Sequence, residues 1–183
     1  FHSKHIPMIP DELKKSVESI LISKCRNVAH ITDSKPVGGG SINEACMLKT
    51  SIGRFFIKYN SAAAFPGMFE KEASDLKTLA DTKTLDIPKI IGTGETSDYS
   101  FLLLQYIDSG APERNFWYEF GIKLAELHKN TSDTYGLDHD NYIGSLIQSN
   151  KQHPDFYSFF ISQRIEPQLK IARDKGAFGS GDI

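Results

Sequence analysis

The run FLLLQYI, Phe101 to Ile107, constrains the fold more than any other stretch of this chain. A strand with one solvated face alternates apolar and polar residues, whereas a continuous apolar run requires cover on both faces. Asp108-Ser109-Gly110 ends it. Other strands are expected around Asp33 to Val37, over Ile42 to Thr50 and over Arg54 to Tyr59, with a turn at Ser51-Ile52-Gly53. A short buried strand is expected at Ile90-Ile91, after the break at Asp86-Ile87-Pro88, and Gly92 to Ser100 reads as turn-rich. Pro10 opens a helix whose apolar stripe is Leu13, Val17, Ile20 and Leu21, and Phe65 to Asp81 is a further helix.

Beyond Gly110 the pattern changes. Trp117, Phe120, Leu124 and Leu127 recur at helical spacing, as do Phe156, Phe159 and Phe160, with a polar loop from Tyr135 to Asn150 between them. His128, at the edge of the first stripe, reads as a hydrogen-bonded core histidine, and Arg164 as a structural ion-pair member. Strands with one helix come first and mostly helix follows, so the class is α+β with two lobes meeting near Gln105.

Bulk properties exclude several functions. The net charge is -2 with no block of like charges, so nothing points to nucleic acid or an anionic membrane. No apolar stretch approaches the ~20 residues of a membrane span, and no signal-peptide layout is expected at the N-terminus. Cys25 and Cys46 form no metal or redox motif, which favours a reducing cytoplasm, and the six histidines are too scattered for a transition-metal site.

Three consecutive glycines open the stretch Gly38-Gly39-Gly40-Ser41-Ile42-Asn43. It is neither GxxxxGK[ST] nor a complete GxGxxG, and it leads into a strand, so a dinucleotide-binding turn is rejected. Two readings stay open for the loop alone: a flexible hairpin, or a hairpin whose backbone N–H groups cover phosphates. The next strand bears on the choice. In RFFIKY, period 2 places Phe56 and Lys58 on one face and Phe55, Ile57 and Tyr59 on the other. A lysine in such a strand either snorkels to water or meets a negative group. In the following helix, Glu72 lies inside the stripe of Phe69, Leu76 and Leu79, while Glu70 points away near Lys77. A carboxylate in an apolar stripe needs a cation, and a Lys58–Glu72 pair is expected. Glycine loop, strand lysine and helix glutamate, in that order, are the ATP-holding parts of a protein-kinase-like fold.

The strings GGGSINEACMLKT, FFIKYN and MFEKEASDLKTL, continued by FLLLQYI, LAELH, DNYIGSLIQSN and RIEPQL, resemble the fructosamine kinase (ketosamine-3-kinase) family of the aminoglycoside-phosphotransferase-like group. The resemblance runs from about Val37 onward. It implies that Lys58, held by Glu72, contacts ATP phosphates, with the backbone of Gly39, Gly40, Ser41 and Ile42 above them. It implies a protein-kinase-like two-lobe fold: an antiparallel sheet with one packed helix over residues 1–104, a hinge at 105–108 where the Gln105 carbonyl and the Ile107 N–H meet adenine, and the first part of a mostly helical lobe over 109–183. Asp140, Asn141 and Gln148 lie in the family's loop beside the acceptor cleft. They are candidates for sugar contacts, with turn shaping by Asp140 and Asn141 as the open alternative.

Kinases of this group also carry a later H-G-D-x-x-x-x-N loop and a metal-binding aspartate. The one Gly-Asp pair here is Gly181-Asp182, preceded by Ser180. Phosphoryl transfer needs an aspartate to orient the acceptor hydroxyl and a carboxylate to hold Mg²⁺. Those residues are expected beyond Ile183, so this chain reads as an inactive fragment. Ser41 stands where some members of the family carry cysteine. The implied reaction is phosphorylation of the C3 hydroxyl of a ketosamine, small or protein-bound. The alternatives are a kinase of another small alcohol, such as an aminoglycoside or choline, and a non-catalytic nucleotide-binding domain. The apolar stripe of Phe156, Phe159 and Phe160, which expects a partner lobe, argues against the last.

Overall fold

A computed structural model describes residues 9–38, 40 and 42–177. The chain divides into two compact units, residues 1–129 and 130–183. The first is built on a five-stranded antiparallel sheet: β1 (Ile31–Pro36), β2 (Glu44–Thr50), β3 (Gly53–Ser61), β4 (Ile90–Glu95) and β5 (Tyr99–Gln105), in the order β1-β2-β3-β5-β4. The register pairs Ala45 with Lys58 and Lys58 with Leu102. Helices α1 (Asp11–Cys25) and α2 (Met68–Asp81) cover opposite faces.

Strand β5 shows why both helices are needed. Phe101 and Leu103 join Leu13, Val17, Leu21, Leu48 and Ile57 on the α1 side. Leu102 and Leu104 join Phe69, with Phe56, Ala73, Leu76 and Ile90 packed around them, on the α2 side. Each fully buried leucine or isoleucine contributes roughly 1.5–3 kcal/mol, so the apolar run is satisfied only between two layers. The helix expected against the sheet is α2, and α1 is the second cover. Pro10 stands one residue before α1, its carbonyl accepting from the Lys14 N–H at 2.9 Å. Glu18 ties α1 to β1 by accepting the Ile31 N–H at 2.7 Å.

Strand β4 extends through the stretch expected to be turn-rich. Gly92 and Gly94 lie inside the strand because α1 and β5 approach too closely for side chains. A Cβ on Gly94 would stand 2.6 Å from Phe101 Cζ, and one on Gly92 3.1 Å from Ile20 Cγ2. Local propensity reads these glycines as turn residues; tertiary packing makes them strand residues.

Helix α3 (Phe116–Leu127) belongs to the first unit, where Lys123 Nζ lies 3.7 Å from Asp86 Oδ2 ahead of β4. The boundary between the compact units therefore follows α3, whereas the expected partition lies at 105–108. His128 caps α3 and is exposed, not a core histidine, because the aromatic face it borders is itself open, with Trp117 72% exposed.

The second unit replaces the expected polar loop with a small hairpin, β6 (Asn141–Ile143) and β7 (Leu146–Gln148), and a bridge between Tyr135 and His153. A helix follows as α4 (Phe156–Phe160), a π-helical turn (Ile161–Ile165) and α5 (Glu166–Asp174). Asp155 caps it, its carboxylate accepting the Ser158 N–H at 2.9 Å. Phe156 and Phe160 stack at 5.3 Å and stay exposed, while Phe159 turns inward. No helix among the described residues is long and apolar enough to cross a membrane.

Gly94→Ala forces a methyl against the fully buried Phe101 ring. It is expected to lower stability by about 1–3 kcal/mol in urea unfolding, whereas the same change at open Gly121 leaves the core intact.

Candidate active site

The glycine loop joins β1 to β2 as a hairpin, closed by the Val37 N–H donating to the Ala45 carbonyl at 2.8 Å. At Gly40 a Cβ would lie 2.5 Å from the Asn43 carbonyl oxygen, so only glycine fits that turn. Gly39 and Ser41 lie outside the described residues, as does the terminal Ser180-Gly181-Asp182; Ile42 is half-buried.

Lys58 sits directly across from Ala45, beside the base of this loop. Its Nζ donates to Glu72 Oε1 at 2.6 Å, with side chains 28% and 30% exposed. The alternation of β3 turns Lys58 toward α2, and the helical spacing brings Glu72 down from Phe69 to meet it. Glu70 is exposed, and Lys77 pairs instead with Asp81 at 2.5 Å.

One position further along the same strand face is Asn60, which sequence reasoning did not single out. Its Nδ2 donates to Asn43 Oδ1 at 2.8 Å and to Met68 Sδ at 3.2 Å, and its Oδ1 accepts from Ser100 Oγ at 2.9 Å. This buried amide joins the end of the glycine loop to β5 and to the start of α2. A polar residue two after Lys58 was a signal, but its partners emerge only from the register. On the opposite face Tyr59 donates to Glu44 Oε2 at 2.6 Å. Burial and the Glu44 carboxylate push the Tyr59 hydroxyl well above the ordinary tyrosine range.

At the end of β5 the chain is held by Gln105, whose N–H donates to the Lys89 carbonyl at 2.8 Å. Ile107 is 57% exposed. Arg54 reaches from β3 to grip Asp108 through two bonds of 2.7 and 2.6 Å, with its guanidinium 5.1 Å from the Tyr106 ring centroid. This latch on 106–108 had no sequence signal, because the partners are far apart in the chain.

In the second unit, Asn141 and Gln148 face each other across the hairpin and line one groove of about 450 Å³ with Tyr135, Asn150, Phe159 and Arg164. Asp140 lines a different cavity beside His139. Its Oδ1 accepts the Asn150 N–H at 2.7 Å, a loop-shaping contact. Buried Asn150 is the hub that sequence reasoning missed: its Nδ2 donates to the His139 carbonyl at 2.9 Å and to Asn141 Oδ1 at 3.1 Å. Arg164 makes contacts with neutral oxygens where an ion pair was expected. Nη1 donates to the carbonyls of Ser149 at 2.6 Å and Gln163 at 2.9 Å, and Nη2 to Asn150 Oδ1 at 2.5 Å. Its guanidinium lies 4.6 Å from the Phe159 ring centroid, and burial holds it below the usual arginine range.

A five-stranded antiparallel sheet, a glycine hairpin and a strand lysine gripped by a helix glutamate define a protein-kinase-like fold. A profile described as fructosamine kinase matches residues 13–182. A probable ketoamine kinase of Vibrio parahaemolyticus is 36% identical over 150 residues, covering 80% of this chain and 51% of that protein. The chloroplastic protein-ribulosamine 3-kinase of Arabidopsis thaliana is 40% identical over 148 residues, covering 79% and 45%. A crystal structure assigned as a fructosamine-3-kinase from Haemophilus somnus superposes with a TM-score of 0.82 at 30% identity, over 88% of this chain and 55% of that one. The chain belongs to the fructosamine kinase family. It spans about half the length of the curated relatives it matches.

Asn60→Ala strands the Ser100 hydroxyl in the core and is expected to cost about 1–3 kcal/mol in chemical denaturation. Ser100→Ala should be less than additive with it, since both remove the same bond. Tyr59 gives a pH test. Because its folded value is raised, the stability it contributes is complete below the ordinary tyrosine value of about pH 10 and is lost as pH rises above that toward the higher folded value. Tyr59→Phe should flatten this alkaline fall in a stability–pH profile.

Proposed function

We propose that the whole protein is an ATP-dependent ketosamine kinase that places phosphate on the C3 hydroxyl of the sugar, destabilising the adduct so that the amine is released. The observation that carries the reading is the 2.6 Å Lys58–Glu72 contact beside the base of the glycine hairpin. Glu72 fixes a partly exposed ammonium where it can meet phosphate oxygens, and the backbone of Gly39 to Ile42 covers them. The Gln105 carbonyl and the Ile107 N–H take the adenine edge, on a segment that the Arg54–Asp108 grip keeps in place. In role, then, residues 1–104 hold the nucleotide, 105–108 form the hinge, and 109–183 begin the acceptor lobe.

In the second unit, Asn141 and Gln148 contact the ketosamine. Asp140 acts behind them by shaping the loop through Asn150. Phosphoryl transfer further needs an acceptor-orienting aspartate and a carboxylate for Mg²⁺, which we propose the whole protein supplies outside residues 1–183, so that this stretch by itself is inactive. Among the described residues no group of three His, Cys, Asp or Glu side chains could hold a metal ion. Mg²⁺ would supply charge neutralisation on the phosphates. The unpaired Cys25 and Cys46 suit the reducing cytoplasm in which we place the protein.

In full-length protein, Lys58→Ala should lower ATP-dependent phosphorylation of a fructosamine or ribulosamine by at least about 10²-fold with unchanged circular dichroism. Turnover at the parental rate would refute the lysine's role.

A further inference from the structure

The groove of the second unit contains a cation that has no N–H to spare. Besides the bonds from Nη1 and Nη2 given above, the guanidinium assigns the orientation of the Gln148 amide: with Oε1 turned to it, that oxygen accepts from Arg164 Nη2 at 3.0 Å and Nε at 3.2 Å, whereas the opposite orientation would set the amide nitrogen against those N–H groups. With two carbonyls on Nη1 and Asn150 Oδ1 on Nη2, these bonds occupy every N–H a guanidinium carries. Arg164 therefore cannot bind a ligand directly. What it does is fix the polarity of an amide. With Oε1 turned to the guanidinium, Gln148 Nε2 lies on the other side of the carboxamide, on a residue that lines the groove.

The setting supports a purpose for this. Arg164 lies in a π-helical turn of a helix that is otherwise α, and such turns re-aim side chains at functional sites. Ser162 and Gln163 of that turn both reach His153 Nε2, at 3.2 and 3.3 Å, so the turn is held to the loop on two sides. Among the described residues lining the groove, Arg164 alone bears a formal charge, and none is Asp or Glu. A donor amide beside a single uncompensated cation suits an oxygen that accepts.

We infer that Gln148 is a ligand donor in this groove, that Arg164 is the positioning residue that sets its orientation, and that the ligand presents an acceptor oxygen to it. The inference rests on the ketosamine reading, which offers two sources of that oxygen: the sugar's hydroxyls, or the carboxylate of an amino acid joined to it.

The test uses full-length protein, with ATP and two acceptors, the fructosamine of glycine and that of a simple alkylamine. Gln148→Glu keeps an oxygen for Arg164 and removes the donor. It should raise the acceptor KM by about tenfold or more while the ATP KM and the melting temperature hold. Gln148→Met, which lacks both donor and acceptor, should raise it similarly and covers the case in which the glutamate variant folds poorly. Arg164→Lys, which cannot fork, should raise the acceptor KM in the parent but add nothing in the Gln148→Met background. A loss with both acceptors assigns the oxygen to the sugar, and a loss with the glycine adduct alone assigns it to the carboxylate. An acceptor KM unchanged in Gln148→Glu and Gln148→Met, in a protein that phosphorylates ketosamines, overturns the groove assignment alone. A parent that phosphorylates no ketosamine overturns the functional reading and the groove with it.

Discussion

Strand β5 is buried on both faces, and the first unit is arranged around that fact. Phe101 and Leu103 demand the α1 layer, while Leu102 and Leu104 demand the α2 layer. With β5 sandwiched, its neighbour β3 must also send alternate residues into both layers. Lys58, paired with Leu102, is thereby turned toward α2, where an uncompensated ammonium is costly. Glu72 answers that cost. The site is a consequence of the core and not an addition to its surface.

The ion pair is not what keeps the sheet folded. A partly desolvated pair gains little net stability, because losing water offsets most of the attraction. Its contribution is geometric, in holding one ammonium at one place beside the loop. The Arg54–Asp108 grip is similar in kind: both side chains are largely exposed, so its energy is small, yet its two bonds fix the direction of the segment after β5. Asn60 differs from both. It is buried and its contacts are satisfied, so its removal is felt in stability first.

The second unit is organised by amides and one guanidinium in place of a large apolar core. Asn150 is buried and bonded on every side, and Arg164 meets neutral oxygens and the face of Phe159. Such a network fixes orientation. Each amide that gives its oxygen to Arg164 or Asn150 turns its nitrogen elsewhere, and donor and acceptor positions in the groove follow from that.

Much of this was written in local periodicity. The alternation in RFFIKY separated Lys58 from Ile57, and the spacing from Phe69 placed Glu72 in the apolar stripe, so the central pair could be read from residues close in sequence. The apolar run of β5 likewise announced two covered faces. What sequence could not show depended on partners distant along the chain. Gly92 and Gly94 read as turn residues until Phe101 and Ile20 filled the space their missing side chains leave. Asn60 gained meaning from Asn43 and Ser100, Arg54 from Asp108, and Arg164 from the hairpin amides. His128 read as buried because helical spacing says which residues share a face, not whether anything covers it. The sequence by itself determined which side chains would lie on the same face of a strand or helix, because backbone geometry fixes those periods. The tertiary structure alone decided which faces meet, and with that which polar groups bond across them.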